Sequence, residues 1–263
     1  MGYAEVMETV FQSYGDIDIT ENYVQQLHAM LLRHSTKDER HRGRYKNLSN
    51  NVEAFDSEGK SLGVVFETAT PFDTPRKMSD LVKWTREALD DDAWHSLIVV
   101  GVFKVVFLAI HPFQDGNGRL SRVLATLLLL KAGYRYVPYA SLESVIEKSK
   151  DTYYQALRQT HKTLETETVD WLPWLSFFLR SLQSQKEHLR VKMDSAQGWV
   201  DLPVECVAIM ELLEERNRLT IGDAEKHTGV PRATLKIRLN LLIEKGLIER
   251  HGKGRGTWYS LSL

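Results

Sequence analysis

Twelve consecutive residues, His111-Pro112-Phe113-Gln114-Asp115-Gly116-Asn117-Gly118-Arg119-Leu120-Ser121-Arg122, concentrate most of the reactive chemistry in this sequence. A helix N-terminus offers unpaired backbone N–H groups and the positive end of its dipole, and the two together hold phosphate. Gly116 and Gly118 let the backbone approach an anion closely, because a residue without Cβ tolerates positive φ. Asn117 is expected to add a side-chain amide donor. Arg119 and Arg122 lie three apart on the following turn, so both guanidinium groups can face the loop and neutralise phosphate charge. Asp115 would repel a polyphosphate unless it holds Mg2+, an ion that commonly takes one carboxylate, several waters and substrate phosphates. His111 is the nearby group able to accept a proton near neutral pH. The run therefore reads as a Mg2+–polyphosphate site with a base beside it.

Two apolar helices must hold that loop. A helix is expected from Asp92 to Ile110; its most apolar stretch, Leu97 to Ile110, is too short to cross a bilayer and contains Lys104, so it reads as a central helix buried by protein. Pro112 should end it and force an extended backbone on His111. A polar loop, Gln114 to Arg119, then leads into a helix over Leu120 to Lys131, closed at Gly133. Upstream, apolar residues at helical spacing predict helices around Val6 to Tyr14 and Tyr23 to Leu31, with Thr20 capping the second. From Gly43 to Pro75 the helical period vanishes. Asn51 to Phe55 and Leu62 to Thr68 suggest a hairpin around an Asp56-Ser57-Glu58-Gly59 turn. Helices are expected again at Ser79 to Leu89, Ser141 to Thr163 and Val169 to about Val191, before a polar break at Asp194 to Gly198.

The 263-residue chain has 43% hydrophobic residues, enough to fill real cores, and a formal charge of −1 that gives no global bias toward nucleic acid or membrane. Its single cysteine, Cys206, has an apolar helical setting and is expected to be a small buried hydrophobe. With no signal-peptide core and no myristoylation signal, a cytoplasmic location is expected.

The twelve-residue run matches HxFx(D/E)GNGRxxR at every defined position and so resembles the Fic family, with looser similarity from about Gly2 through Leu182. The fold this resemblance implies is a mainly α Fic-type helical domain over residues 1–193 with a small β-hairpin flap near residues 51–68. The activity it implies is ATP-dependent protein adenylylation. By motif position His111 would deprotonate a Ser, Thr or Tyr hydroxyl of a target protein. Phe113 would anchor the loop and Asp115 would hold Mg2+. Gly116, Asn117 and Gly118 would cradle the α- and β-phosphates, while Arg119 and Arg122 would steady the β/γ end. The flap, through Val64, Val65 and Phe66, would register the target by β-augmentation. Tyr153 and Tyr154 would border the adenine. A homodimer is a candidate assembly. Many Fic proteins carry an inhibitory (S/T)xxxE(G/N) helix whose glutamate pairs with the second motif arginine. Ser35 with Glu39 and Ser49 with Glu53 have the spacing but not the final residue, so Arg122 is expected to be unrestrained.

From Asp201 the pattern changes. Helices at Val204 to Arg216, Ile221 to Thr228 and Pro231 to Lys245 precede two β-prone pieces that bracket His251 to Gly256. This order resembles an α+β winged helix-turn-helix domain over residues 199–263. Residues 232–255 hold seven Lys or Arg against two Glu, a patch able to contact phosphates. Arg232, Lys236 and Arg238 on the recognition helix, with Lys253 and Arg255 on the wing, would meet DNA as a candidate partner. Two other functions compete with adenylylation: Fic-type transfer of another phosphate-containing group, and a DNA-binding regulator that only senses nucleotide.

Overall fold

The computed structural model describes residues 2–36, 39–55, 61–91, 93–198 and 202–262. Two compact units, residues 1–189 and 190–263, each enclose their own apolar core.

In the first unit, helices α1 (Gly2–Ser13) and α2 (Glu21–Leu31) form where the apolar spacing places them, and the Thr20 hydroxyl caps α2 by accepting from the Tyr23 N–H. Strands β1 (Val52–Phe55) and β2 (Ser61–Phe66) then pair antiparallel, with irregularities between Val52 and Glu53 and between Ala54 and Phe55. The Asp56-to-Gly59 turn lies outside the described residues. Helix α3 (Thr74–Asp90) starts earlier than the apolar period suggests, because Pro75 is preorganised for a first helical turn. Next come α4 (Ser96–Ile110) and α5 (Asn117–Lys131). Every residue of α5 from Val123 to Leu130 is buried, as is Val99 to Ile110 of α4 apart from Val102, Val106 and Ala109. Helices apolar on nearly all sides belong in the middle of a bundle. The helix expected over Ser141 to Thr163 divides at Ser149 into α6 (Leu142–Lys148) and α7 (Lys150–His161).

Helix α8 (Leu172–Gly198) runs straight through the polar residues 194–198, where a break was expected. Asp, Ser, Ala and Gln tolerate helical backbone, and only Gly198 is a strong stop. Near its start α8 lies close on α4. Any Cβ at Gly101 would come within 2.7 Å of the Leu175 side chain, and Trp174 Nε1 donates to the Gly101 carbonyl at 2.7 Å.

The second unit contains α9 (Val204–Arg216), α10 (Ile221–Thr228), α11 (Arg232–Glu244) and a hairpin of β3 (Ile248–His251) with β4 (Trp258–Leu261). Thr220 and Asp223 close a capping box at the start of α10, and Leu219 bridges to Tyr259 of β4. Cys206 is fully buried in this core, in agreement with its apolar setting. No helix among the described residues is long and apolar enough to cross a membrane.

The oddest core residue is Lys104, 1% exposed on α4 above the rings of Trp174 and Phe178 at 5.9 and 6.0 Å. No carboxylate among the described residues pairs with it. Burial, and secondarily the charge of Arg122, pulls its ammonium down to about 7. The folded protein therefore sheds this proton near pH 7, whereas the unfolded chain keeps it to about pH 10.5. Between those values wild-type stability should rise with pH by up to about 1.4 kcal/mol per pH unit from this group. Urea titrations at pH 7 and 9 should show Lys104→Met more stable than wild type at pH 7, with the gap closing at pH 9. A gap that does not change with pH would contradict a neutral Lys104 in the folded state.

Candidate active site

The motif occupies the turn from α4 into α5. His111 is the C-cap of α4, but its backbone is left-handed (φ 52°, ψ 59°) and not extended. Pro112 does exclude the right-handed helical region at His111. The structure meets that exclusion with a αL cap, in which the His111 N–H still donates to Phe107 O at 2.9 Å. Strained, sparsely populated backbone of this kind concentrates at functional residues. The ring lies with Nδ1 3.2 Å from the Leu108 carbonyl. A carbonyl only accepts, so Nδ1 carries the hydrogen and Nε2 keeps the lone pair. Burial, reinforced by the charge of Lys46, brings the imidazole pKa down to about 4 against the opposing Leu108 hydrogen bond. His111 is neutral at physiological pH, with its basic nitrogen available.

The loop is clamped from inside. Asn117 is 1% exposed; its Oδ1 accepts from Phe113 N at 2.9 Å and its Nδ2 donates to Phe113 O at 2.6 Å. This corrects the expectation that the Asn117 amide reaches phosphate: both of its ends are spent on the backbone four residues upstream. The Phe113 ring, fully buried, stacks on His28 at 3.8 Å with an interplanar angle of 11°. Gly116, at φ 81°, is the N-cap of α5, and no side chain caps that end. The N–H groups of the first α5 turn, from Asn117 to Arg119, therefore remain as backbone donors. At Gly118 a Cβ would meet nothing within 4 Å, so the approach to those donors is open.

His28 was not singled out in the sequence. Gly43 N donates to its Nδ1 at 2.9 Å, which places the hydrogen on Nε2, where it is 3.0 Å from Asp115 O. A neutral, fixed tautomer thus holds the loop at both Phe113 and Asp115. One signal was present. His28 shares the buried face of α2 with Val24, Leu27 and Leu31, and a polar residue on an apolar face asks for a partner.

The charged side chains neutralise one another. Arg119 Nη2 lies 2.9 Å from Asp115 Oδ2, and Arg122 Nη2 lies 2.7 Å from Glu143 Oε1 on α6. Tyr3 of α1 hydrogen-bonds into the second pair, and burial raises its phenol pKa. The expectation of an unrestrained Arg122 is therefore overturned. Its partner stands 21 positions downstream, in the first turn of α6 and outside any (S/T)xxxE(G/N) pattern. Asp115 is 57% exposed, so its carboxylate could exchange Arg119 for a metal ion. No group of three or more His, Cys, Asp or Glu among the described residues could cage a metal unaided. That donor set suits Mg2+ brought in with a polyphosphate, since the ion keeps most of its water and phosphate ligands.

Residues 18–129 match the Fic/DOC family model. The matched segment runs from just before α2 through α5, and it includes the whole clamp and the His111–Arg122 loop. Over that segment the first unit is similar to the Fic/DOC family. The chain is 27% identical over 136 residues to a probable protein adenylyltransferase of Aquifex aeolicus, covering 48% of this chain and 42% of that one. It is 43% identical over 58 residues to a Fido domain-containing protein of Dictyostelium discoideum, covering 20% and 41%. The chain thus spans about two fifths of the length of these curated relatives. Among solved structures, a Fic family protein from Desulfovibrio desulfuricans superposes with a TM-score of 0.55 at 25% identity, covering 98% of this chain and 74% of that one.

Outside the Fic motif the expected site residues fare unevenly. Val64, Val65 and Phe66 lie in β2, with Val64 opposite Glu53 and Phe66 opposite Val52, so Val65 is the extra residue at the irregularity. Tyr153 belongs to an aromatic cluster with Trp174 and Phe177, and Tyr154 meets it edge-on at 5.3 Å. A cavity of about 670 Å³ runs along α4 past Val102, Val106 and Ala109 to His161 and Trp171, and none of the motif's polar side chains line it. In the second unit Arg232, Lys236 and Lys253 are exposed. Arg238 corrects the expectation of an outward-facing cation: its Nε lies 3.3 Å from Glu205 of α9. The Arg255 side chain lies outside the described set.

Glu143 would compete with a phosphate bound at Arg122, and a partly exposed ion pair of this kind contributes about 1 kcal/mol at most. Glu143→Gln should therefore tighten binding of a fluorescent ATP analogue by about three- to fivefold. Fluorescence anisotropy titration measures this directly. Unchanged or weaker affinity would mean that Arg122 is not a phosphate ligand.

Proposed function

We propose that this protein is a protein adenylyltransferase, which moves AMP from ATP to a Ser, Thr or Tyr hydroxyl of a target protein and of itself. The observation that carries the reading is a neutral histidine with its free Nε2 next to an uncapped helix N-terminus flanked by two arginines. The Aquifex relative named as a probable protein adenylyltransferase supports it.

In this mechanism His111 Nε2 takes the proton of the target hydroxyl as its oxygen attacks the α-phosphorus. The bond from that phosphorus to the bridging oxygen of the β-phosphate breaks, and pyrophosphate leaves. The first-turn N–H groups of α5 would hold the α- and β-phosphate oxygens, with Arg119 and Arg122 on the β/γ end. Such transfers depend chiefly on positioning and charge stabilisation. Asp115 would hold Mg2+, which when bound neutralises charge on the leaving phosphates. The open edge of the β1–β2 hairpin would take a target segment as an added strand, and the Tyr153–Tyr154 pair would border the adenine. A phosphate-containing donor other than ATP would use the same parts.

ATP labelled at the α- or γ-phosphate separates these outcomes. The expectation is α-label fixed to protein and lost by about a hundredfold or more in His111→Ala. Label from the γ-position would make the protein a kinase, and none at all would leave nucleotide sensing.

A second reading applies to residues 202–262. The order of three helices and a hairpin supports a winged helix-turn-helix, and a cavity of about 560 Å³ is lined by Arg232, Lys236 and Arg250 with no carboxylate in its wall. That charge suits a nucleic-acid phosphate. An electrophoretic shift with duplex DNA should weaken as salt rises and should vanish in Arg232→Glu/Lys236→Glu. A shift that survives both would remove DNA as the partner of this surface.

A further inference from the structure

Lys46 is a second buried cation of the first unit, 3% exposed, and in contrast to Lys104 it is fully partnered. Its Nζ donates to Asn50 Oδ1 at 2.9 Å, to Thr68 Oγ1 at 2.9 Å and to the Ile110 carbonyl at 3.0 Å. Three acceptors use up the three N–H bonds of an ammonium. They belong to three separate stretches of chain: the approach to β1, the exit from β2, and the last residue of α4, immediately before His111.

Other bonds run between the same stretches. Lys46 N donates to Pro112 O at 2.8 Å, Asn50 Nδ2 to Phe113 O at 2.8 Å, and Ala69 N to Ala109 O at 3.2 Å. The Thr68 hydroxyl also donates to Asn50 O. Both feet of the hairpin are therefore tied to the end of α4 and the start of the motif, by direct bonds to Ala109, Pro112 and Phe113 and by three further bonds that converge on one ammonium. Its charge strengthens the three hydrogen bonds that Nζ donates, and their burial keeps water from replacing them.

We infer that Lys46 is a positioning residue of this site: it fixes the base of the β1–β2 hairpin against residues 110–113, so that a target strand laid on the hairpin arrives in register with His111. This rests on the proposed roles of hairpin and histidine. A hairpin of two short strands is marginal by itself, so its aim depends on what holds its feet. Misplacement of about 1 Å at a reacting centre costs on the order of a hundredfold in rate. The start of α5, by contrast, is held by Asn117 and His28; these do not touch the Lys46 ammonium and meet its network at the Phe113 carbonyl, which Asn117 and Asn50 share.

The test uses the full chain with Lys46→Met, Lys46→Arg and Thr68→Val. Hydrogen exchange of backbone amides, affinity for a fluorescent ATP analogue, and the initial rate of α-label incorporation into the protein are compared. Lys46→Met should speed exchange at residues 61–69 by about tenfold or more while α5 stays protected. It should leave analogue affinity within about twofold and lower label incorporation by at least about tenfold. Lys46→Arg keeps the charge and enough donors for two of the acceptors, so it should recover most of both effects. Thr68→Val removes the β2-side acceptor of Lys46 together with the Thr68 bond to Asn50 and should reproduce the exchange change, which keeps the test decisive should Lys46→Met unfold. Unchanged exchange at the hairpin in both variants overturns the inference. So does a rate that falls in step with analogue affinity, or a Lys46→Arg no better than Lys46→Met. If wild type incorporates no α-label, the transfer reading fails, and the exchange result still decides the role of Lys46.

Discussion

The loop between α4 and α5 depends on a closed pair of hydrogen bonds between the Asn117 side chain and both backbone groups of Phe113. A six-residue turn between two buried helices cannot satisfy its backbone by secondary structure, and an unmet buried N–H or C=O costs about 1–3 kcal/mol. Asn117 supplies one donor and one acceptor at the spacing a peptide group needs. Its own position as the first residue of α5 fixes where that helix begins. The N–H groups that could receive phosphate point where they do because this clamp sets the start of the helix, and the stacked rings of Phe113 and His28 hold the clamp in the core.

The same constraint explains the conformation of His111. With Phe113 pinned four residues below Asn117 and α4 buried up to Ile110, two residues must reverse the chain. Pro112 removes the right-handed region for its predecessor, and His111 takes the left-handed one. Its ring is then near enough to Leu108 for one nitrogen to be tied and the other left basic. Backbone strain and tautomer thus share one cause.

How much of this the sequence disclosed follows from where the partners lie. The loop was legible because its functional residues are contiguous and their spacing is itself chemical information. The apolar runs before and after it likewise announce α4 and α5. Asn117 was misjudged because its partner, four residues back, is set by loop geometry that no helical or strand period encodes. Glu143, His28 and Lys46 come from other elements, and their convergence is a product of packing. Glu143 in particular looks like an ordinary acidic residue in a helical first turn. The hairpin strands and the three helices of the second unit were readable to within a few residues, since each has flanking turn residues and a clear period. Arg238 was not: the helical period gives a face, but Glu205 of α9 decides that this cation faces the core.

The pairing of Arg119 with Asp115 and of Arg122 with Glu143 makes the resting loop electrically self-contained. Two positive and two negative groups cancel, so little field extends outward to draw in a polyphosphate from a distance. Capture becomes an exchange of counter-ions. A polyphosphate alone would take the arginines and strand two carboxylates beside its own charge, and a divalent cation alone would take Asp115 and strand Arg119. Under the proposed function, the two arriving together would give Asp115 a new partner and leave only Glu143 without one, so the loop would favour a metal–nucleotide complex over either component.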